Sequence, residues 1–267
     1  MDGLLLNTED LYTECTNMML HKHGRPSLPW SIKAQLQGRP GPAAGKIFQD
    51  WAQLPVSTEQ YRAEVSQMQQ ELFPTCKPLP GVERLLADLG KSSVQIALAT
   101  SSHKDNFQLK IQNQKELMSV FEEKRRVLGD DPRIKLGRGK PAPDIYLLAL
   151  RMINETLPPN TTPIKPEECL VFEDSVPGVE SGRRAGMRVI WCPHPELYEF
   201  FKDKRELVLA GRADEKTTQP LLGENSPDRP GEVGDGWSEY LETLEQFPYD
   251  KYGITLRKSS SFASPTL

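Results

Sequence analysis

Cys169-Leu170-Val171-Phe172-Glu173-Asp174 is an unbroken apolar run that stops on two adjacent carboxylates. A run this short with no polar alternation suits a strand covered on both faces, as strands of parallel sheets are. Comparable runs stand at residues 94–99, 126–128, 188–192 and 207–209, most of them separated by helical or loop segments. Between Gly81 and the run at 94–99, Val82, Leu85, Leu86 and Leu89 fall on one helical face. Short buried strands alternating with helices predict an α/β fold, a doubly wound parallel sheet. In such a sheet ligands bind beyond the carboxyl ends of the strands, where Thr100 and Asp174 fall.

The stretch from Asp10 to Cys76 reads differently. Leu11, Cys15, Met18 and Met19 recur at helical spacing, and Tyr61, Val65, Met68 and Leu72 share another face. Ser57-Thr58-Glu59-Gln60 has the form of a capping box opening that second helix. Gly38-Arg39-Pro40-Gly41-Pro42 interrupts the pattern as a loop. The organisation expected is a core from residues 1–9 and 77–210, with a small helical cap domain over 10–76. Residues 211–236, rich in Gly, Pro, Asp and Glu, read as a disordered insertion. Residues 237–256 recover amphipathic character as a C-terminal helical segment, and the basic, serine-rich 257–267 read as a disordered tail.

Composition narrows the function classes. The 267 residues are 37% hydrophobic and 26% charged, enough for one core and an accessory domain. A net charge of −4 offers no basic footprint for nucleic acid. Cys15, Cys76, Cys169 and Cys192 lie far apart, with no CxxC pair, which argues against a zinc site or a disulfide framework. Apolar runs stop far short of the roughly 20 residues a membrane helix needs. No signal-peptide pattern opens the sequence. A cytoplasmic monomer with no nucleic-acid or membrane partner is expected.

Four motifs carry the chemistry: Met1-Asp2-Gly3-Leu4-Leu5-Leu6-Asn7-Thr8-Glu9, then Ala97-Leu98-Ala99-Thr100-Ser101-Ser102, then Gly139-Lys140-Pro141-Ala142-Pro143-Asp144, then the Glu173-Asp174 pair. Singly, each is an ordinary turn, cap or loop. In this order they resemble the signature motifs of the haloacid dehalogenase superfamily. Within it they are most similar to the pseudouridine-5′-phosphatase group, which shades into glycerol-3-phosphate and riboflavin-phosphate phosphatases and, more distantly, β-phosphoglucomutase. The likeness covers roughly residues 1–210. Asn7 departs from it, standing where the family usually has Asp.

The resemblance implies a phosphoryl-transfer site using Mg²⁺ on a small phosphorylated metabolite. Asp2 would be the acid/base and would offer its backbone carbonyl to Mg²⁺. Thr100 would bind a phosphoryl oxygen, with Ser101 beside it on the substrate, and Lys140 would offset the crowded negative charge. Asp174 would ligate Mg²⁺, with Glu173 as a second acidic ligand. Arg39, on the cap loop, is the candidate for gripping substrate.

The family's nucleophilic aspartate stands two residues before Asp2, ahead of Met1, and the strand leading to it is the central one of the sheet. The sequence as written is therefore expected to leave a gap between the strands at 96–100 and 169–173. It is also expected to lack turnover, through either a start assigned too late or a truncated isoform. Two further readings stand beside the phosphatase: a non-catalytic remnant that binds a phosphometabolite or a partner protein, and a β-phosphoglucomutase-like phosphotransferase.

Overall fold

The computed structural model describes residues 1–39, 41–213 and 229–256. After a tight turn at Gly3, the chain enters four helices, α1 (Thr8–Lys22), α2 (Trp30–Leu36), α3 (Gly41–Ala52) and α4 (Thr58–Leu72). These match the helical segment expected over 10–76, and they share a small core of Leu20, Phe48 and Ala52. Ser57 caps α4 by accepting from Gln60 N at 3.1 Å, but Gln60 reaches Glu64 instead of closing the box. The face carrying Tyr61, Val65, Met68 and Leu72 is half-buried, and α4 lies along α1. Asn7 ties the two linkers of this unit together. Its side-chain oxygen accepts from Lys77 N at 2.7 Å, and its own N–H donates to Lys77 O at 3.0 Å.

The core follows as α5 (Val82–Lys91), β1 (Leu98–Ala99), α6 (Lys104–Ile111), α7 (Lys115–Met118), β2 (Arg126–Val127), α8 (Asp144–Glu155), β3 (Leu170–Glu173), α9 (Val176–Arg184), β4 (Arg188–Trp191), α10 (Pro195–Phe201), α11 (Arg205–Leu209) and β5 (Ser238–Tyr240). All strand pairs are parallel: β1 with β2 through Leu98 opposite Arg126, β3 with β4 through Leu170 opposite Arg188, and β4 with β5 through Val189 opposite Ser238. Pleating sorts the side chains onto two faces. Leu98, Leu170, Phe172 and Ile190 join the cluster built on Leu85, Leu86 and Leu89 of α5. Ala97, Ala99, Val171, Val189 and Trp191 join the cluster built on α8 and α9. Helices therefore cover both faces, as the sequence predicts.

Two expectations fail. Residues 207–209 are helical, in α11, with Val208 buried, Leu209 packed against the α8–α9 cluster and Leu207 39% exposed. The run carries no strand. Residues 237–256 form no regular α-helix either. Ser238–Tyr240 add a parallel strand to β4, Tyr240 packing on Trp191 with ring centroids 5.9 Å apart, and Tyr249–Tyr252 make a single tight 3-10 turn. Part of the expected insertion is also ordered: Arg212 pairs with Glu232 and Arg183 with Asp235. Residues 214–228 and the tail at 257–267 lie outside the described residues.

The strands fall into two sheets, β1–β2 and β3–β4–β5. Among the described residues neither β1 nor β3 has a partner on its second edge. Between them lies an apolar cavity of about 460 Å³, walled by Leu86 and Ala149 from the two helical faces and reached at one end by Met1. The gap expected between these strands is present. Apolar side chains seated in this space would leave water at about 25 cal/mol per Å² of surface buried. An extended apolar segment joined ahead of Met1 and seated in this slot should raise Tm by about 10 °C or more in a thermal melt. An unchanged Tm would refute the slot as a strand site.

Candidate active site

Thr100 stands one residue past β1 and Asp174 one residue past β3, so the parallel strands deliver both to the same carboxyl end. Lys140 comes in from the loop between β2 and α8 and is buried. Asp2-Gly3 closes the arrangement. Gly3 holds φ +63°, and a Cβ there would stand 2.5 Å from Asp174 Oδ2, so only glycine lets this backbone lie against that carboxylate.

The Asp2 carboxylate is held on all sides. Oδ1 accepts from Thr8 Oγ1 at 2.6 Å and pairs with Lys110 Nζ at 2.6 Å. Oδ2 accepts from Ser102 Oγ at 3.0 Å, with Thr100 Oγ1 at 3.5 Å. Lys110 is fully buried on α6 and donates also to Ser102 Oγ (2.6 Å) and Tyr12 OH (2.8 Å), its ammonium lying 4.5 Å from the Tyr12 ring centroid. Burial pushes the Asp2 carboxyl up, but the charge and hydrogen bond of Lys110 outweigh it and hold the group well below the usual carboxylate range.

Glu173 is committed elsewhere. Lys140 Nζ and Tyr146 OH both donate to Oε1, and Ser175 Oγ donates to Oε2 at 3.2 Å. Burial raises this carboxyl, and Lys140 more than offsets it, leaving the group an anion. With both oxygens occupied, Glu173 positions Lys140. Arg39 donates its Nε to the Gln35 carbonyl in the last turn of α2 at 2.8 Å, and Gln37 of the same segment donates to Asp174 Oδ2 at 2.6 Å. Ser102 places its hydroxyl on Asp2.

Four carboxylates and three lysine ammonium groups, with the buried amino terminus of Met1 among them, thus crowd one end of the core. Lys110 pairs with Asp2, Lys140 with Glu173, and the buried Lys33 stands 3.9 Å from Glu9. Asp174 is left over, with no ion pair among the described residues. Burial, then the charges of Glu173 and Glu9, push its carboxyl up to about 8. Its backbone oxygen is fixed by Trp191 Nε1 at 3.0 Å. A buried hard-oxygen carboxylate lacking a cation suits Mg²⁺, which takes one or two carboxylates and keeps several waters. Asp174 and the Asp2 carbonyl fit that role. No group of three His, Cys, Asp or Glu side chains forms a closed metal cage among the described residues.

Residues 1–192 match the family model described as haloacid dehalogenase-like hydrolase, across all four motifs. The chain belongs to that family. It is 45% identical over 254 residues to a probable pseudouridine-5′-phosphatase of Saccharomyces cerevisiae, covering 95% of this chain and 94% of the relative. It is 38% identical over 218 residues to a mitochondrial (DL)-glycerol-3-phosphatase of Arabidopsis thaliana, covering 81% and 70%. Among solved structures, a putative β-phosphoglucomutase of Thermotoga maritima superposes with a TM-score of 0.54 at 28% identity, over 74% of this chain and 88% of that one. The haloacid dehalogenase-like core, two-faced and parallel with its helical insertion, is thereby established.

Two outcomes follow from the electrostatics. Lys110→Met should destabilise the fold by about 3–5 kcal/mol in urea unfolding, because it strands the Asp2 carboxylate without its cation. A loss under 1 kcal/mol would mean that Asp2 simply turns to solvent. The second concerns Asp174, whose folded value lies above its ordinary 3.8. The folded chain keeps a proton that the unfolded chain releases, so this contribution is full below about pH 4 and is lost as pH rises toward 8. In chelator, stability should fall across that window by up to about 1.4 kcal/mol per pH unit, and Asp174→Asn should flatten the fall. Asp2 and Glu173, held low, act below the window.

Proposed function

We propose that this chain is the body of a Mg²⁺-dependent phosphatase of small phosphorylated metabolites, of the polyol-phosphate or pseudouridine-5′-phosphate kind. The observation that carries the reading is Asp174, a buried carboxylate with no cation, set beside Asp2, Thr100 and Lys140 at one end of a parallel core. The names of the relatives support the phosphatase class. We read it as a monomer of the cytosol; no described helix is long and apolar enough to cross a membrane.

A phosphomonoester brings about two negative charges, so catalysis rests on positioning and charge compensation. Thr100 Oγ1 donates to a non-bridging phosphoryl oxygen, and Lys140, held by Glu173 and Tyr146, presents its ammonium to the phosphoryl group. Mg²⁺ at Asp174 would neutralise charge on the phosphoryl oxygens. By the family motif the nucleophile would be an aspartate two residues before Asp2, a position that the sequence from Met1 does not include. Its oxygen would bond to phosphorus as the ester P–O bond breaks, giving an aspartyl-phosphate, and the leaving alkoxide would take a proton from Asp2. Water then attacks phosphorus and gives its proton back to Asp2, releasing phosphate and restoring the carboxylate. The Lys110 contact holds Asp2 as an anion, which suits the water-activating half. For the first half the carboxylate must exchange that contact for a proton.

Residues 1–267 alone should not turn over p-nitrophenyl phosphate, whereas a chain carrying the strand and the aspartate ahead of Met1 should. In the longer chain Asp2→Asn should lower kcat by about 10²–10⁴-fold, and Lys140→Ala should act comparably through lost charge compensation. Turnover by residues 1–267 that Asp174→Asn abolishes would overturn the assignment of the nucleophile. Phosphate appearing on a second sugar hydroxyl, in place of free orthophosphate, would move the reading to a β-phosphoglucomutase-like transfer. Binding without turnover by the longer chain would leave a non-catalytic phosphometabolite-binding protein.

A further inference from the structure

The cap loop is pressed onto the site. Gly38 holds φ +75°, and a Cβ there would stand 2.2 Å from Ser175 Oγ, so the backbone just after α2 rests directly on the loop that carries Asp174. The residue before it, Gln37, is 5% exposed. Its Nε2 donates to Asp174 Oδ2 at 2.6 Å, while its Oε1 is buried with no hydrogen-bond partner among the described residues. Oxygen and nitrogen of one amide share a carbon, so the orphan acceptor also lies beside Asp174.

A buried acceptor left unpaired costs about 1–3 kcal/mol, which a side chain of similar size without the oxygen would avoid. If covering Asp174 were the whole role, methionine would serve as packing, and lysine would serve as both packing and counter-charge. The amide presents an acceptor at the mouth of the site, and the chemistry of the neighbours restricts what can meet it. With Mg²⁺ bound, Asp174 would be ionised, and its oxygens, those of Glu173 and those of a phosphomonoester dianion would all be acceptors, so the orphan carbonyl has nothing to gain from the phosphoryl group. A donor must come from the other half of the ester. Lys33, four residues earlier on the same face of α2, is already engaged by Glu9 O at 3.0 Å and Thr13 Oγ1 at 2.6 Å.

We propose that Gln37 is a specificity residue that reads the leaving group, its side-chain carbonyl accepting a hydrogen bond from a hydroxyl of a polyhydroxylated alcohol. This deepens the phosphatase reading and rests on it. Esters of polyols or of ribose then gain a contact that aryl or simple alkyl phosphates lack, while orthophosphate, without a leaving group, is indifferent to Gln37. The same amide couples recognition to the cap, since the carbonyl can serve substrate only while the Gln37–Asp174 and Gly38–Ser175 contacts keep the loop seated.

The test is calorimetric binding in Mg²⁺ to residues 1–267, parent against Gln37→Met, with orthophosphate, phenyl phosphate and glycerol 3-phosphate as probes; where an ester is turned over, KM replaces Kd. Gln37→Met removes the Asp174 contact for every probe alike, so it should weaken glycerol 3-phosphate about tenfold more than it weakens orthophosphate or phenyl phosphate, the worth of one buried hydrogen bond. Retained orthophosphate binding certifies that the variant is folded, and Gln37→Leu serves as a second size-matched change. Equal weakening of all three probes by both variants would overturn the proposal in favour of a role in orienting Asp174 or a metal-bound water. No change in any probe would overturn it as well. A parent that binds none of the three sinks the phosphatase reading and this inference together, whereas a parent that binds all three in an unaltered ranking sinks this inference alone. Ribose 5-phosphate against pseudouridine 5′-phosphate then tells a sugar hydroxyl from a base N–H as the donor: equal losses on substitution support the hydroxyl, and a loss confined to the nucleotide overturns it.

Discussion

Charge compensation in a space with little water is the constraint on which the rest of this structure depends. Asp2, Glu9, Glu173 and Asp174 lie within one cluster, and Lys110, Lys33 and Lys140 come from three different elements to meet them. Buried carboxylates are tolerable only when paired and hydrogen-bonded. That requirement explains why α6 carries a lysine with no exposure at all, and why a tyrosine and a serine surround it. It also explains why α2 of the cap brings its own lysine against Glu9 at the start of α1. Asp174, the one carboxyl of the four without a lysine, is the one that burial and its neighbours push up to about 8.

The cap and the core are joined by this same electrostatics, more than by a shared apolar seam. Lys110 belongs to the core, yet it is held by Tyr12 of α1 and lies 4.8 Å from the ring centroid of Phe73, just where the chain leaves α4. Asn7 and Lys77 fasten the two linkers to each other. Both linkers therefore lie close to Asp2, whose carboxylate accepts from Thr8 at the start of α1. At the far end of α2, Gly38 rests on Ser175.

Much of this was legible in the sequence, for physical reasons. Unbroken apolar runs flanked by helices give parallel strands, and residues that end such strands must converge, which placed Thr100 and Asp174 without any coordinates. Lys140 was legible only through the motif, since a lysine in a glycine-proline loop has no intrinsic reason to be buried. Other features were not legible. The run at 207–209 failed because three apolar residues are too few to show either a helical or a strand period. Ser238–Tyr240 pairs with β4 because of an edge supplied by a distant part of the chain, which local periodicity does not report. Gln37 was missed because an amide in a polar cap segment looks like surface, and Arg39 was preferred because charge is the more visible signal. A lysine on the apolar face shared with Phe107 and Ile111 did mark Lys110, and that was the one available clue to it.

Trp191 has a bearing on how the molecule can vary. Its indole fixes the backbone of Asp174, and Tyr240 covers it from a strand that enters the sheet only after residues 214–228. Arg212 with Glu232 joins the two flanks of that segment, and Arg183 of α9 holds Asp235. An exchange at Tyr240, on a strand remote in sequence from all four motifs, would therefore act on the Asp174 backbone through the Trp191 indole.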